Sequence, residues 1–268
     1  MRKPFVLELL RDLKNDGTVR PEMSILTVCA GSSEREVFAK AGFEQVTISN
    51  LDERMDGRSY APFAWSFQDA ENLTFDDSSF DVVFVADGLH HCGSPHRALL
   101  EMYRVARKTV IVVESRDSAT MRLANRLGLS PVYELEAVVG NNYTHGGLNN
   151  TEIPNHIYRW TEAEFKKTIR SYDPTGPHDF QFSYGLNLPF DAATYKKTSL
   201  KRNVLLVARP FLWAFTKVFK RQCNSFAMIA TKPATTWPWL NASGEALRFD
   251  LAYAETHFAS PQKATPQK

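Results

Sequence analysis

SILTVCAGSSERE, residues Ser24 to Glu36, is the stretch on which the fold turns. Ser24 to Ala30 is a short, mostly apolar run that reads as a buried strand. The polar residues after Gly31, with Ser33 and Glu36 at the spacing of a capping box, predict a helix from about Glu34 to Ala41. A strand that passes through a glycine into a helix leaves open amides at the helix start, a place for a carboxylate or phosphate. The alternative is that Gly31 only makes a tight turn. Outward from this stretch the pattern continues. Phe5, Leu7, Leu9, Leu10 and Leu13 suggest an amphipathic helix, 46–49 and 80–86 read as strands, 95–107 as a helix and 109–113 as a further strand. Strands alternating with helices imply a mostly parallel sheet covered on both faces, whose ligands bind at the carboxyl ends of the strands.

The composition agrees. With 268 residues, 43% hydrophobic and 23% charged, the chain is not a disordered one, and one large domain with appendages fits its length. A formal net charge of +2 lacks the basic excess of a protein that binds bulk nucleic acid. Cys29, Cys92 and Cys223 are too few and too scattered for a disulfide scaffold or a cysteine zinc site, which points to a reducing, cytoplasmic setting. Glu8, Arg11 and Asp12 interrupt the N-terminal apolar residues before a signal-peptide core forms, and no stretch is apolar enough for a spanning helix.

The strand ends carry the chemistry. Asn50 and Asp52 follow the second strand, DAENLTFDD begins at Asp69, and the strand ending at Ala86 leads into Asp87-Gly-Leu-His-His91. A carboxylate after the second strand can accept hydrogen bonds from both hydroxyls of a ribose. Together with ALLEMYRVARKTVIVVES, this ordered series over residues 24–115 resembles the class I S-adenosylmethionine-dependent methyltransferases, among them the methyltransferase type 11 group. The resemblance implies an α/β fold, a Rossmann-like seven-stranded mostly parallel sheet with helices on both faces. It implies S-adenosylmethionine as cofactor, leaving as S-adenosylhomocysteine. By it Gly31 and Ser32 lie against the methionine part, Asn50 or Asp52 holds the ribose, Asp69 and Ala70 meet the adenine, and Asp87 faces the amino-acid end or the reaction centre.

The pattern departs from the family in its loop. Thr27 stands in place of the usual acid, Cys29 and Ser33 replace the outer glycines, and only Gly31 is retained. The residue aligned with the ribose-binding acid is Asn50, and the nearest carboxylate is Asp52. The Asn/Asp-Pro-Pro-aromatic motif of enzymes that methylate exocyclic base nitrogens is absent. Cys92 lacks the preceding proline of the cytosine C5 enzymes and reads as a structural thiol.

Methyl transfer to a hydroxyl needs a base, and His91 is the first candidate because it follows a strand end and a histidine titrates near neutral pH. The alternative is that His90 and His91 only close the pocket. His90, His91 and His96 find no acidic or cysteine ligand at a recognisable spacing, so no metal site is expected. Beyond residue 115 the resemblance fades into an acceptor-binding insertion at about 116–178. Within it, 140–155 is a long polar segment in which Tyr143, His145, Asn149 and Glu152 are suited to a polar acceptor. His145 is the second base candidate, and a lid without specific contacts is the alternative. Thr161 and Glu164 form another capping-box pattern, opening a helix to about Tyr172.

Charge is unevenly placed. Between Ala192 and Gly244 there are nine basic residues (Lys196, Lys197, Lys201, Arg202, Arg209, Lys217, Lys220, Arg221 and Lys232) and no acidic one, so the rest of the chain is acidic. Phe211, Trp213, Phe215 and Phe219 are interleaved in an apolar run broken by Arg209-Pro210. Such a segment suits peripheral membrane contact through 196–221, or an acceptor bearing a lipid or phosphate. The plainer reading, a helix over the sheet with its aromatics in the core, is the one favoured here. Residues 224–230 read as a last strand, and the family resemblance implies that it pairs antiparallel with one near 180–184. The expected organisation is a methyltransferase domain over 1–232 and a C-terminal extension over 233–268, disordered at its end. The expected activity is methylation, at oxygen, of a small-molecule or lipid- or sugar-linked acceptor. A non-catalytic binding protein and an RNA methyltransferase are the alternatives.

Overall fold

A computed structural model describes residues 2–187, 200–243 and 246–258. The first helix, α1 (Lys3–Asn15), buries Val6, Leu9, Leu10 and Leu13 along one stripe. Then β1 (Ile25–Thr27), α2 (Ser32–Ala41), β2 (Val46–Asn50), β3 (Ala64–Phe67), β4 (Phe80–Ala86), α3 (Pro95–Val105) and β5 (Ala106–Ser115) follow in order. Three helices, α4 (Ala119–Arg126), α5 (Leu135–Gly140) and α6 (Glu162–Tyr172), precede β6 (Asp179–Gly185), and α7 (Leu200–Val218) leads into β7 (Ser225–Thr231). A hairpin of β8 (Leu240–Ser243) and β9 (Ala246–Phe249) and a short α8 (Leu251–His257) come last among the described residues.

Seven strands form one sheet in the order β3-β2-β1-β4-β5-β7-β6. The strands from β1 to β5 pair parallel, and β7 runs antiparallel between β5 and β6. Successive side chains of a strand face opposite sides, which divides the core in two. Val82, Phe84 and Ala86 join Leu10 and Phe38 under α1 and α2, while Val83 and Val85 join Leu99, Met102, Trp160 and Phe165 under α3 and α6. The order runs from β1 to β2 on one side and to β4 on the other, so the connections after β1 and β4 leave in opposite directions. A crevice opens at their carboxyl ends.

Several expectations are corrected. The short strand β3 lies in a segment the sequence reading left unassigned. Helix α2 begins two residues before the expected start, with Gly31 as its N-cap, and the carboxylate of Glu34, not Glu36, accepts the Gly31 amide (2.8 Å). Glu36 instead pairs with Lys3 and Lys40, so Ser33 and Glu36 form no capping box. Thr161 does cap α6 by accepting the Glu164 amide, but the Glu164 carboxylate turns to Tyr158 and His96. Helix α7 continues through Pro210, and its aromatics are not in the core: Phe211 is 76% exposed and Trp213 59%. Thr216 is the one buried side chain among those described on α7. Lys196 and Lys197 and the final ten residues lie outside the described residues. Among the described residues no helix is long and apolar enough to cross a membrane.

Candidate active site

A cavity of about 190 Å³ lies at the carboxyl ends of β1 to β4. Its walls come from residues that immediately follow each strand. Cys29 follows β1, Asn50 and Leu51 close β2, and Gln68, Asp69 and Ala70 follow β3. Asp87, His91 and Cys92 follow β4, and Gly146, Gly147, Asn149 and Asn150 enter from the polar segment of the insertion. Of the residues singled out in the sequence for cofactor or acceptor, Asn50, Asp69, Ala70, Asp87, His91 and Asn149 therefore meet in one cavity. Gly31, Ser32, Asp52 and His145 do not line it.

The backbone is held unusually at two of these strand ends. Cys29 and Asp87 both have φ of 51°, the left-handed region that side chains disfavour. Gly88 lets them approach: a β-carbon added there would stand 2.6 Å from Cys29 Cβ and 2.8 Å from Val85 Cγ2. Gly31, by contrast, has an extended backbone (φ −150°), and a β-carbon there would meet nothing closer than Met55 Cε at 3.8 Å. A tight turn is not its role.

The polar side chains sort by partner. Asn50 Nδ2 donates to the Ala30 carbonyl (3.0 Å). The Asp52 carboxylate accepts from Arg54 Nε (2.7 Å) and Nη2 (3.1 Å), and these hydrogen bonds hold its pKa below the usual range. Arg54 also reaches Asn150 Oδ1 (3.4 Å), and the Gly93 amide donates to Asn149 Oδ1 (2.9 Å), so the polar segment is tied across the cavity. Arg2 pairs with Asp87 and donates to Ser115 Oγ (2.9 Å). Its Nε is buried without a hydrogen-bond partner. His145 lies near Asp52 with its Nδ1 2.7 Å from Thr144 Oγ1, while Tyr143 and Glu152 are exposed. Cys92 is pushed up by its contact with the Cys29 thiol and by burial, which suits a structural thiol and not a nucleophile.

Behind His91 is a cluster the sequence did not announce. Glu114, fully buried at the end of β5, accepts the amides of Gly88 (3.0 Å) and Leu89 (2.8 Å) with one oxygen and meets His90 Nδ1 (2.6 Å) with the other. His90 Nε2 is 3.1 Å from Glu134 Oε2, and His91 Nε2 is 3.4 Å from the same atom. Burial draws the His90 pKa down, but the charge and hydrogen bonds of the two carboxylates outweigh it and raise it to about 10. Burial and the neighbouring His90 charge lower that of His91. A glutamate ending the apolar run Val110–Val113 was the available signal for Glu114; Glu134 had none.

A family model described as a methyltransferase domain, type 11, matches residues 27–113, from the last residue of β1 into β5. The chain carries a class I S-adenosylmethionine-dependent methyltransferase domain. The methyltransferase shares its fold with magnesium protoporphyrin IX methyltransferase (ChlM) from Synechocystis PCC 6803, solved with bound SAH. That likeness has 16% identity, covers 86% of this chain and 83% of the other, and has a TM-score of 0.50. It also shares it with YcgJ of Bacillus subtilis, at 13% identity over 85% and 98% of the two chains and a TM-score of 0.52. The cofactor of the methyltransferase is S-adenosylmethionine.

Proposed function

We propose that the methyltransferase acts at a hydroxyl of a small molecule carrying a lipid portion. The observation that carries this reading is the course of residues 129–134. The segment starts in the wall of an apolar groove of about 260 Å³ between α4 and α7, at Leu129, Ser130 and Pro131, and ends at Glu134 beside His91. A tail in the groove and a polar head in the cavity are thereby joined by one stretch of chain. The exposed aromatics of α7, flanked by Arg209, Lys217, Lys220 and Arg221, suit contact with an anionic bilayer that supplies such an acceptor.

The cavity suits the cofactor on its own chemistry. With Nδ2 of Asn50 held by Ala30 and Asp52 closed over Arg54, the Asn50 carbonyl oxygen is the acceptor for a ribose hydroxyl. Asp69 and Ala70 line the same cavity, which supports their contact with the adenine. Arg2 and Asp87 offer opposite charges to an amino-acid end, and the unpartnered Arg2 Nε is a donor awaiting one. Space beside Gly31 is free of protein atoms to at least van der Waals distance. S-adenosylmethionine supplies an electrophilic methyl on a sulfonium. The protein aligns the acceptor and excludes water, for which the tied segment Gly146–Asn150 forms the cover. His91, at the wall of the cavity, meets the acceptor hydroxyl.

The test compares hydroxylated acceptors with and without an acyl or prenyl tail, using labelled S-adenosylmethionine. Leu127→Glu, at an exposed position in the groove wall, is expected to raise KM for tailed acceptors with kcat unchanged. His91→Ala is expected to lower kcat by about 100-fold or more. Equal KM for tailed and untailed acceptors in the native protein would sink the lipid reading.

A further inference from the structure

The His90, His91 and Glu134 cluster has the donor set of a metal site. Their nearest ligand atoms, two imidazole Nε2 and one carboxylate oxygen, all lie within 4.8 Å of one another. They come from two places 43 residues apart in the chain, the turn after β4 and the residue before α5. We propose that these three side chains bind one zinc-class divalent cation beside the cofactor cavity.

Distances support it first. Donors about 2.0–2.1 Å from a tetrahedral ion stand roughly 3.3–3.4 Å from each other. The separations from Glu134 Oε2 are 3.1 Å to His90 and 3.4 Å to His91, so two edges of the coordination polyhedron are already in place. The third edge closes by rotation of His91, whose side chain is partly exposed.

The surroundings support it second. A metal-bound histidine ordinarily gives its other ring nitrogen to a carboxylate or backbone carbonyl, which fixes the ring. His90 Nδ1 lies 2.6 Å from the buried Glu114. Asn155 Nδ2 binds both the His90 carbonyl (3.0 Å) and Glu134 Oε2 (3.4 Å). His90 and Glu134 are therefore each oriented by a second group. Charge is the third support. Glu114 and Glu134 bring two negative charges into the protein, while the guanidinium of Arg2 is paired with Asp87. A dication held between these groups returns two positive charges.

Two imidazoles and one carboxylate favour zinc, cobalt or iron over magnesium or calcium. Three protein ligands leave a coordination position, and one of the three, His91, lines the cavity. With the ion bound, His91 reaches the acceptor through it and not directly; that this position takes the acceptor's oxygen rests on the proposed O-methylation, while the site itself does not.

The experiment uses the full chain, stripped by a chelator. Zn2+ is titrated by calorimetry and Co2+ by visible absorption, with far-UV circular dichroism to confirm folding. One equivalent of Zn2+ is expected to bind, and Glu134→Gln and His91→Ala are each expected to weaken it at least tenfold. Glu134→Gln keeps the shape of the side chain, so it stands as the test if His91→Ala does not fold. No saturable uptake by the native chain, or native affinity in the folded variants, would overturn the site. Affinity lost in Cys29→Ser and retained in Glu134→Gln would move the ion to the thiols and overturn it too. Binding of S-adenosylhomocysteine to the stripped chain, measured in the same cell, reports on the methyltransferase reading separately.

Discussion

Cys29 occupies a left-handed backbone position, and the residue that makes room for it is 59 places further along the chain. Gly88 has no β-carbon, so the Cys29 side chain fits against it and Asp87 keeps its place at the cavity wall. Gly88→Ala drives a new carbon into Cys29 and Val85, neither of which is the loose end of a long side chain. The expected loss is about 1–3 kcal/mol in urea unfolding, the usual cost of overpacking. A variant as stable as the native chain would show that the strand ends are more pliant than the geometry implies. Asp69→Ala tests the cavity itself. It is expected to weaken S-adenosylhomocysteine by about 1–3 kcal/mol, as when a hydrogen bond from ligand to a charged group is lost, and an unchanged Kd by calorimetry counts against the adenine assignment.

Between elements, the joint of α1 to α2 is electrostatic at its rim and apolar beneath. Glu36 lies between Lys3 (2.5 Å) and Lys40 (2.7 Å), whose hydrogen bonds and charges lower its pKa from the ordinary 4.5 to about 2. A carboxylate whose pKa falls on folding adds stability above its unfolded value and loses it as pH falls through the folded one. Native protein should therefore lose stability between about pH 4.5 and 2 more steeply than Glu36→Gln in low salt. High salt should bring the two curves together, since the pair is exposed. Superimposable curves in low salt would refute the pairing. Helix α7 makes the opposite case, with little holding its outer face. Val207→Ser and Phe211→Ser, at residues 74% and 76% exposed, should change stability by no more than about 0.5 kcal/mol. Phe165→Ala, at a residue with no exposure, should cost about 3–5 kcal/mol. The same two α7 variants are expected to lose binding to anionic vesicles in a sedimentation assay. Binding equal to the native protein would leave the aromatic face without that role.

Across the whole molecule, the cofactor cavity is assembled from the ends of strands that lie side by side but far apart in sequence. Ligation there should stabilise every element that contributes a wall. At S-adenosylhomocysteine 100-fold above its Kd the gain is about 2.7 kcal/mol, read as a rise in thermal midpoint that continues with ligand concentration. A midpoint unmoved by the ligand would contradict a site at the crevice.

The alternation of short apolar runs with helical stripes was enough to determine a mostly parallel sheet, while the antiparallel pairing of β7 with β6 came from the family resemblance. It also determined that Asn50 and Asp87 stand at strand ends, whereas β3, which positions Asp69, was not read from the pattern. The parallel sheet and those two strand ends depend on period and length, which neighbouring residues carry by themselves. Asp52 shows where that reasoning stops. Its spacing suited a ribose, yet Arg54, two residues on, holds its carboxylate, and only side-chain geometry reveals which of two nearby acceptors is left facing the cavity. The aromatics of α7 were expected inside because hydrophobic residues usually are. Which face of a helix is covered depends on what packs against it, and periodicity does not contain that. Glu134 is the extreme case. Nothing within its own segment marks it, because its meaning comes from His90 and His91, brought within hydrogen-bond distance by the return of the chain through the insertion. Local pattern determines elements, since their hydrogen bonds close within a few residues or along a strand. Contacts between distant segments are decided by how those elements pack, and the chemistry of the site is made of such contacts.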